Sequence, residues 1–362
     1  MLFDLAERPW LKASFAPAAD VAPPPPLLLD APDIRAPSIA IAHAAVAGPV
    51  ASLGCYTLRG AVIAGPCHAT VEGAAVVAPD LTPAYWRKGL EEGTLGDAPY
   101  RCGLPVRDVA YPVAVIAAPG YREYGHWLLD ILPRLWTLAE SGQAPPDMRI
   151  ALPSDTPAFG LALLDQLGIR RDQLLLHDPA AERLAPDRLL LPSLVHTDYR
   201  LHPASVGFYD RLVAQHAAPG TGRPSRLFLS RAQYRRSDMP GRHLVNHETV
   251  RTVLEACGFT TIFPERLPWP EQLALFAGAR VVVGEHGSAM KNLLFTPPGA
   301  VVVNIHLLNN TQSQIAALRR HHLIYLGAED LRQDATGRVD YQVGIASLSR
   351  CVAAALDVVG WP

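Results

Sequence analysis

The sequence predicts an α/β protein with two doubly wound units, each a parallel sheet covered by helices. The chain has 362 residues, enough for two domains of about 150 residues each. Beyond about residue 110, short apolar runs alternate with helical segments, and this alternation is typical of parallel sheets. A Pro/Gly-rich segment, residues 217–224, divides the alternation in two and is the expected linker.

The composition excludes two classes of protein. Lys and Arg total 32 against 34 Asp and Glu, so the chain lacks the positive field that attracts nucleic acid, and we expect no nucleic-acid partner. No run reaches the roughly 18 apolar residues that cross a bilayer, and the first residues lack the pattern of a secretory signal. The five cysteines are scattered without a Cys-x-x-Cys pair, which indicates free thiols. We therefore expect a cytoplasmic protein without a structural zinc.

Proline and small apolar residues set the first 79 residues apart. Several of the 34 prolines cluster early in the chain, and residues 1–37 are predicted to form an extended N-terminal arm. The bursts of apolar residues at 38–41, 57–63 and 74–77 predict short strands of an antiparallel sheet. We expect this β-rich segment to share a domain, residues 38–216, with the first doubly wound unit.

The strands and helices of both units are predicted from apolar periodicity. In the first unit, we expect strands 113–117, 148–152, 174–176 and 189–191 and helices 123–141, 157–167 and 203–216. In the second, residues 225–335, we expect strands 227–229, 260–263, 280–283, 301–305 and 323–326 and helices 247–257, 270–277, 288–295 and 312–320. A C-terminal helix within 336–362 is expected to pack back on the N-terminal domain. A ligand-binding cleft is expected between the two domains.

The sharpest local motif follows the strand at 280–283. The segment Gly284-Glu-His286-Gly287-Ser288 leads from this strand into a helix, so the first N–H groups of the helix point out of the carboxyl edge of the sheet. Such a helix start attracts phosphate. The motif is neither the dinucleotide fingerprint nor the P-loop. The alternative is a strand-to-helix turn that binds no ligand.

A histidine and an aspartate stand four residues apart in the predicted helix 123–141. His126 and Asp130 therefore share one helix face. A carboxylate held by a histidine can take part in proton transfer, and the same pair can offer two metal ligands. The alternative is a helix start at which His126 only caps or packs.

Arginines follow the first strand of the second unit. Arg231 comes directly after that strand, and Arg235, Arg236 and Arg242 lie farther along the chain. Guanidinium groups beside a cleft suit oxyanions such as diphosphate. A solvated basic loop is the other interpretation, and it applies most to Arg235 and Arg236.

No metal site is indicated by the spacing of possible ligands. His243 and His247 have helical spacing but lack a third ligand. The sequence also has no Asp-x-Asp pair of the kind that holds a divalent cation at some nucleotide-sugar sites. A Gly-x-Ser-x-Gly elbow is absent as well, so an α/β-hydrolase is not supported.

Six segments, taken in order, resemble glycosyltransferase family 61, which includes capsular-polysaccharide biosynthesis proteins. The first segment, from His126 to Arg134, reads His-Trp-Leu-Leu-Asp-x-x-Pro-Arg. The others are Leu229-Ser-Arg231, Arg242-x-x-x-Asn246-His-Glu248, Gly258-Phe259 with Pro264-Glu265, Glu271-Gln272, and Gly284-x-His286-Gly287 with Asn292-x-x-Phe295. The resemblance spans about residues 110–306.

The resemblance implies a GT-B-like fold, with two Rossmann-like domains facing a cleft, and an inverting reaction that needs no metal or other cofactor. It implies that the C-terminal domain binds the nucleotide sugar, which is a substrate. The donor-binding residues would be Arg231, Arg242, Gly284, His286, Gly287, Ser288, Lys291, Asn292 and Glu265. The sequence departs from the family at Ser288, Lys291 and Asn304, where alanine, threonine and glutamate are usual.

The sequence thus predicts an inverting hexosyl- or pentosyltransferase that moves a sugar from a nucleotide diphosphate to a glycan or glycolipid in bacterial capsule or exopolysaccharide synthesis. We expect Asp130 or His126 to be the general base, with Glu285 in reserve. A lipid-linked acceptor would bring the enzyme to the inner face of the plasma membrane, and a homo-oligomer is compatible with the sequence. The competing interpretation is a non-catalytic nucleotide-binding or scaffold relative in a polysaccharide assembly complex.

Overall fold

The computed structural model describes residues 2–5, 7–8, 11–30, 36–92, 94, 103–234, 241–306, 310–335 and 337–360. The chain divides into two compact units. The N-terminal unit comprises Met1–Asp20 and Pro49–Phe208, and the C-terminal unit comprises Val21–Gly48 and Tyr209–Pro362. Both contain sheets and helices, so the protein is mixed α/β as predicted.

The strands of the described residues are numbered in chain order. They are β1 Leu2–Asp4, β2 Lys12–Ala16, β3 Ala19–Val21, β4 Leu28–Asp30, β5 Gly48–Val50, β6 Leu53–Leu58, β7 Ala61–Ala64, β8 His68–Val71, β9 Ala74–Val77, β10 Val106–Val109, β11 Val113–Val115, β12 Arg149–Pro153, β13 Leu174–His177, β14 Arg183–Pro186, β15 Leu189–Pro192, β16 His196–Thr197, β17 Arg200–Leu201, β18 Arg226–Leu229, β19 Arg242–Leu244, β20 Thr260–Ile262, β21 Val281–Glu285, β22 Val301–Ile305, β23 His322–Leu326, β24 Glu329–Gln333 and β25 Val339–Gln342.

The helices are numbered in the same way. They are α1 Ala36–Ala44, α2 Ala84–Glu91, α3 Tyr124–His126, α4 Leu132–Glu140, α5 Ala158–Gln166, α6 Val206–His216, α7 His247–Ala256, α8 Trp269–Gly278, α9 Asn310–Arg319 and α10 Ile345–Val358. A π-helical turn, Trp127–Ile131, joins α3 to α4. Segments of 3₁₀ helix are Arg171–Gln173, Pro203–Ser205, Pro264–Arg266 and Ser288–Phe295.

The N-terminal unit contains two six-stranded sheets that share a hydrophobic core. One has the order β13-β12-β11-β15-β6-β2, in which the first four strands are parallel and β6 and β2 are antiparallel additions. The other has the order β1-β9-β8-β7-β14-β10 and includes the antiparallel run β7-β8-β9. Residues from both sheets, such as Ile63 and Val115, belong to one buried cluster.

The C-terminal unit contains a six-stranded, all-parallel sheet in the order β20-β18-β21-β22-β23-β4. Its first five strands follow the doubly wound order, with the carboxyl ends of all strands at one edge. The three consecutive valines of β21 and of β22 are fully buried, as expected for a parallel sheet covered on both faces. A small sheet, β19-β25-β24, carries Tyr341 into the same core.

Three expectations, two for the first 41 residues and one for the C-terminal helix, were wrong. The predicted N-terminal arm contains strands paired into sheets: β1 pairs with β9, β2 with β6, and β4 with β23. Prolines 23–26 only link β3 to β4, because proline has no N–H for a ladder. Residues 38–41 lie in helix α1, since alanine favours helix over strand. Helix α10, which was expected on the N-terminal domain, packs on the C-terminal unit, where Leu348 and Val352 join the core around β22 and β23.

Candidate active site

The segment that carries His126 and Asp130 changes its helical form between the two residues. Helix α3 passes into the π-helical turn at Trp127, and such turns are frequent at functional sites. Trp127 anchors the turn: its indole N–H donates to the carbonyl of Tyr121 at 2.6 Å. The ring also lies against Gly160, where a Cβ would stand 2.2 Å from Cζ2. Packing therefore fixes the turn that presents the two polar side chains.

Asp130 is shared by two histidines. Nδ1 of His126 lies 2.5 Å from Oδ2 of Asp130, and Nε2 of His196 lies 2.7 Å from Oδ1. The side chain of Asp130 is only 6% exposed, whereas that of His126 is 26% exposed. The sequence had predicted the pair of His126 and Asp130, and the structure adds His196 from β16.

The carboxyl of Asp130 is held in its ionised form. Burial favours the neutral acid, but the hydrogen bonds of His126 and His196, together with the charge that each ring carries when it is protonated, outweigh burial and lower the pKa of Asp130 below its ordinary value. A carboxylate so stabilised is a weak proton acceptor. In this arrangement the ring of His126 is better suited than Asp130 to accept a proton, and Asp130 fixes the orientation of that ring.

Nε2, the second nitrogen of the His126 ring, has a different environment from Nδ1. None of the hydrogen bonds formed among the described residues uses this atom, and the ring is partly exposed. The ring of His126 also packs closely against Gly120, where a Cβ would stand 2.6 Å from Nε2. Glycine is needed here for close approach rather than for a positive φ.

Arg134 continues the same helix face at the next turn. It is buried, and its guanidinium donates to the carbonyls of Ala117 and Leu81 at 2.5 and 2.7 Å. Together with Pro119, these residues line a small pocket at the carboxyl ends of β11 and β15. Arg134 thereby ties the helix to two loops at the sheet edge where His126 lies.

In the C-terminal unit, the end of β21 and the turn that follows it depend on two glycines for packing. A Cβ on Gly284 would stand 2.1 Å from Sδ of Met290, and one on Gly287 would stand 2.0 Å from Nη1 of Arg231. The Arg231 guanidinium therefore lies directly against the start of the helix at Ser288. The segment 288–295 is 3₁₀ rather than α-helical.

Glu285 braces this turn. Its Oε1 accepts the backbone N–H of Arg231 at 2.8 Å, and its Oε2 accepts the hydroxyl of Tyr341 at 2.5 Å. Burial and then the Glu285 charge raise the pKa of Tyr341, so the phenol stays a donor. With both oxygens bonded inside the unit, Glu285 is placed as a brace, and this favours His126 over the reserve candidate.

Three cations surround His286. Nη2 of Arg242 donates to the His286 carbonyl at 2.9 Å. Burial first, then the charges of Arg242, Lys291 and Arg231, lower the pKa of His286 to about 3, so its ring is neutral at physiological pH. Among the described residues, neither Arg231 nor Arg242 forms an ion pair with a carboxylate, and buried Nε of Arg231 meets no acceptor. The cluster therefore carries positive charge suited to a bound anion.

The other predicted donor residues fall into different environments. Asn292 is fully buried, and its amide donates to Oε1 of Gln272 at 3.1 Å, which joins the 3₁₀ segment to α8. Ser288 is partly exposed at the first position of that segment. Glu265 is exposed on the 3₁₀ turn 264–266, and none of the bonds described links it to the cluster. Arg235 and Arg236 lie outside the described residues.

Sequence reasoning missed two residues of these sites. His196 lies 66 residues from Asp130, and the only local signal is its position just after the carboxyl end of β15. Tyr341 comes from β25, beyond the predicted second domain. In the part of the chain that the structure describes, no group of three His, Cys, Asp or Glu side chains could hold a metal ion. None of the described helices is long and apolar enough to cross a membrane.

Residues 124–303 match the family described as Glycosyltransferase 61. The match begins in α3, next to His126, and ends in β22, so it includes both the histidine–aspartate cluster and the cation cluster. The chain therefore belongs to glycosyltransferase family 61, which identifies it as a glycosyltransferase. The family implies a nucleotide-sugar donor and a glycan acceptor. A search of curated proteins gave no significant match.

Proposed function

We propose that the protein is an inverting glycosyltransferase that moves a sugar from a nucleoside diphosphate to a hydroxyl of a glycan or lipid-linked glycan. The observation that carries the proposal is the partly exposed His126, whose Nδ1 is fixed by Asp130 while Nε2 stays available. In a single displacement, Nε2 takes the proton of the acceptor hydroxyl as its oxygen attacks the anomeric carbon. A positioned base of this kind contributes about 10²–10⁴-fold to a rate.

The leaving diphosphate is assigned to the cation cluster of the C-terminal unit. As the bond from the anomeric carbon to the phosphate oxygen breaks, negative charge develops on the diphosphate. Arg231, Arg242 and Lys291, with the N–H groups at Gly287 and Ser288, would stabilise that charge. Because side chains supply the positive charge, we propose that the reaction needs no metal.

The proposal includes the GT-B class, in which donor and acceptor are bound by different Rossmann-like domains. The doubly wound sheet of the C-terminal unit and the parallel strands of the N-terminal unit support it. We further propose a role in bacterial surface polysaccharide synthesis, in the cytoplasm or at the inner face of the membrane, with a hexose or a pentose transferred. The proposal holds for a monomer and for a homo-oligomer.

The test begins with thermal-shift measurements against UDP-, GDP-, CMP- and dTDP-sugars, because a ligand that binds the folded state raises its melting temperature. Donors that bind are then assayed for transfer and hydrolysis, and the anomeric configuration of the product is read by NMR. The expected result is transfer with inversion that His126→Ala and Asp130→Asn abolish without loss of donor binding.

The matched control is His177→Gln, which removes another buried histidine of the same unit. A retained configuration would overturn the inverting mechanism. Donor binding without turnover by any acceptor or by water would favour a non-catalytic nucleotide-binding relative.

A further inference from the structure

The second histidine on Asp130 differs from His126 in what its ring nitrogens meet. Nε2 of His196 faces Oδ1 of Asp130 at 2.7 Å, and Nδ1 faces the backbone carbonyl of Asp198 at 3.2 Å. A carboxylate and a carbonyl oxygen can only accept hydrogen bonds. For both contacts to be hydrogen bonds, both ring nitrogens of His196 have to donate, and a histidine does so only as the doubly protonated imidazolium.

His126 needs only one proton. Its Nδ1 donates to Oδ2 of Asp130 at 2.5 Å, and Nε2 meets no acceptor among the described residues. A neutral ring with the proton on Nδ1 satisfies this arrangement and leaves a lone pair on Nε2. The two histidines on one carboxylate are thus assigned different charge states by their hydrogen-bond partners.

The turn between β16 and β17 places the backbone carbonyl of Asp198 next to Nδ1 of His196. Asp198 stands between β16 and β17 with φ of 54°, a left-handed conformation that aspartate adopts more readily than most residues other than glycine. Its own carboxylate is held by Arg87 at 2.6 Å and by Arg200 at 2.8 Å. Because the arginines engage the side chain of Asp198, only its backbone carbonyl is directed at Nδ1 of His196.

Asp130 also lies near another buried cation, Arg134. Arg134, one turn along the helix, interacts electrostatically with Asp130 and with Asp80. Asp80 is itself paired with Lys12 at 2.5 Å. Within the described part of the chain, Arg134 donates only to backbone carbonyls, whereas both histidines bond the carboxylate of Asp130 directly. The charge state of His126 therefore depends mainly on how the negative charge of Asp130 is divided between the two rings.

We propose that His196 is a positioning residue: a resident imidazolium that takes up the charge of Asp130 and so keeps His126 neutral and able to act as the base. A second imidazolium on the same buried carboxylate would face the first with no further anion to balance it. Without the His196 charge, the full negative charge of Asp130 would act on His126 and favour its protonated form, which cannot accept a proton. The catalytic part of this inference rests on the proposed function, but the protonation part does not.

The protonation part is tested by NMR of the full chain with ¹⁵N-labelled histidine. Long-range ¹⁵N–¹H spectra near neutral pH distinguish a doubly protonated ring from either neutral tautomer. The expected result is a doubly protonated ring, assigned to His196 by its loss in His196→Gln, and a neutral ring with its proton on Nδ1, assigned to His126. Asp130→Asn keeps both rings and should remove the doubly protonated signal. A neutral His196 in the unchanged protein would overturn the inference.

The catalytic part is tested by the pH–rate profile with whichever donor turns over. His196→Gln keeps an N–H that can reach Asp130 but removes the charge. The acid limb of the pH–rate profile of this variant should shift to higher pH by about one unit. At a given pH on that limb the rate should fall about tenfold, and it should recover at higher pH. His177→Gln is the matched control and should leave the profile unchanged.

A folded His196→Gln variant with an unshifted profile would show that the hydrogen bond matters and the charge does not, against the proposal. If no donor turns over, the proposed function fails while the NMR result still decides the charge of His196.

Discussion

Gly120 gives a sharp test of the proposed base, because it can be changed without touching His126 itself. A Cβ at this position would stand 2.2 Å from Cδ2 and 2.4 Å from Cγ of the His126 ring. Ordinary contact begins near 3.4 Å, so the ring must retreat by about 1.2 Å. Gly120 does not have a positive φ, so alanine causes no backbone strain of its own.

The retreat of the ring should separate Nδ1 from Oδ2 of Asp130, now 2.5 Å apart. A misplacement of about 1 Å at a reacting group can cost on the order of 100-fold in rate. We therefore expect Gly120→Ala to lower the single-turnover transfer rate about 100-fold, with donor affinity unchanged, because the donor is assigned to the other unit. Transfer by quenched-flow and donor affinity by calorimetry measure the two quantities.

The control for this variant is Gly207→Ala at the start of helix α6, a glycine of the same unit where a Cβ would meet nothing within 4 Å. Its transfer rate should be unchanged and its stability equal or higher by up to about 1 kcal/mol, because alanine favours a helix. A cycle with His126→Ala separates the cause: once the ring is gone, Gly120→Ala should have no further effect. A well-folded Gly120→Ala enzyme with the unchanged rate would refute His126 as the base.

Three other outcomes follow from the C-terminal unit. Arg242→Gln should weaken binding of a nucleoside diphosphate at least tenfold, with a smaller dependence on salt, as titration calorimetry at two ionic strengths would show. Glu285→Gln should lower the free energy of unfolding by about 1–3 kcal/mol in urea titrations, since its amide would point a donor at the Tyr341 hydroxyl or at a backbone N–H; an unaltered value would contradict the bracing role. Burial lowers the pKa of His286 and His321 from 6.5 to about 3, so below about pH 6.5 the unfolded chain binds protons that the folded chain does not, and stability should fall as pH drops toward 3. His321→Gln should make that decline shallower, and an identical slope would argue against the neutral buried ring.

The fold could be predicted from the sequence where strands are buried on both faces. Strands β21 and β22 each begin with three consecutive valines, and each is followed by a helix. This pattern alone predicts the doubly wound unit. The pairing of β4 with β23 was not predictable, because it joins residues almost 300 positions apart and a three-residue strand has no periodicity of its own. The sequence of residues 1–37 suggested an extended arm because the short strands β1 and β4 pair with strands far along the chain.

In the candidate sites, too, contacts between residues close in sequence could be predicted and contacts between distant residues could not. The pair of His126 and Asp130 could be predicted because four-residue spacing on a helix brings side chains together. His196 and Tyr341 could not, since tertiary structure alone brings them to Asp130 and Glu285. Tyr341 also changes the interpretation of Glu285, because a carboxylate that accepts two internal hydrogen bonds is not free to take a proton from a substrate.

The two sites use charge in opposite ways, and the proposed chemistry requires this. A base must remain neutral until it takes a proton, so the charge beside it has to be cancelled, and at Asp130 a protonated His196 would cancel it. A leaving diphosphate needs positive charge that has not been cancelled. At His286, the three cations Arg231, Arg242 and Lys291 outnumber the buried carboxylate of Glu285, and among the described residues neither arginine forms an ion pair with a carboxylate. A formal net charge of −2 for the whole chain conceals this division, because each unit sets the charge of its site locally.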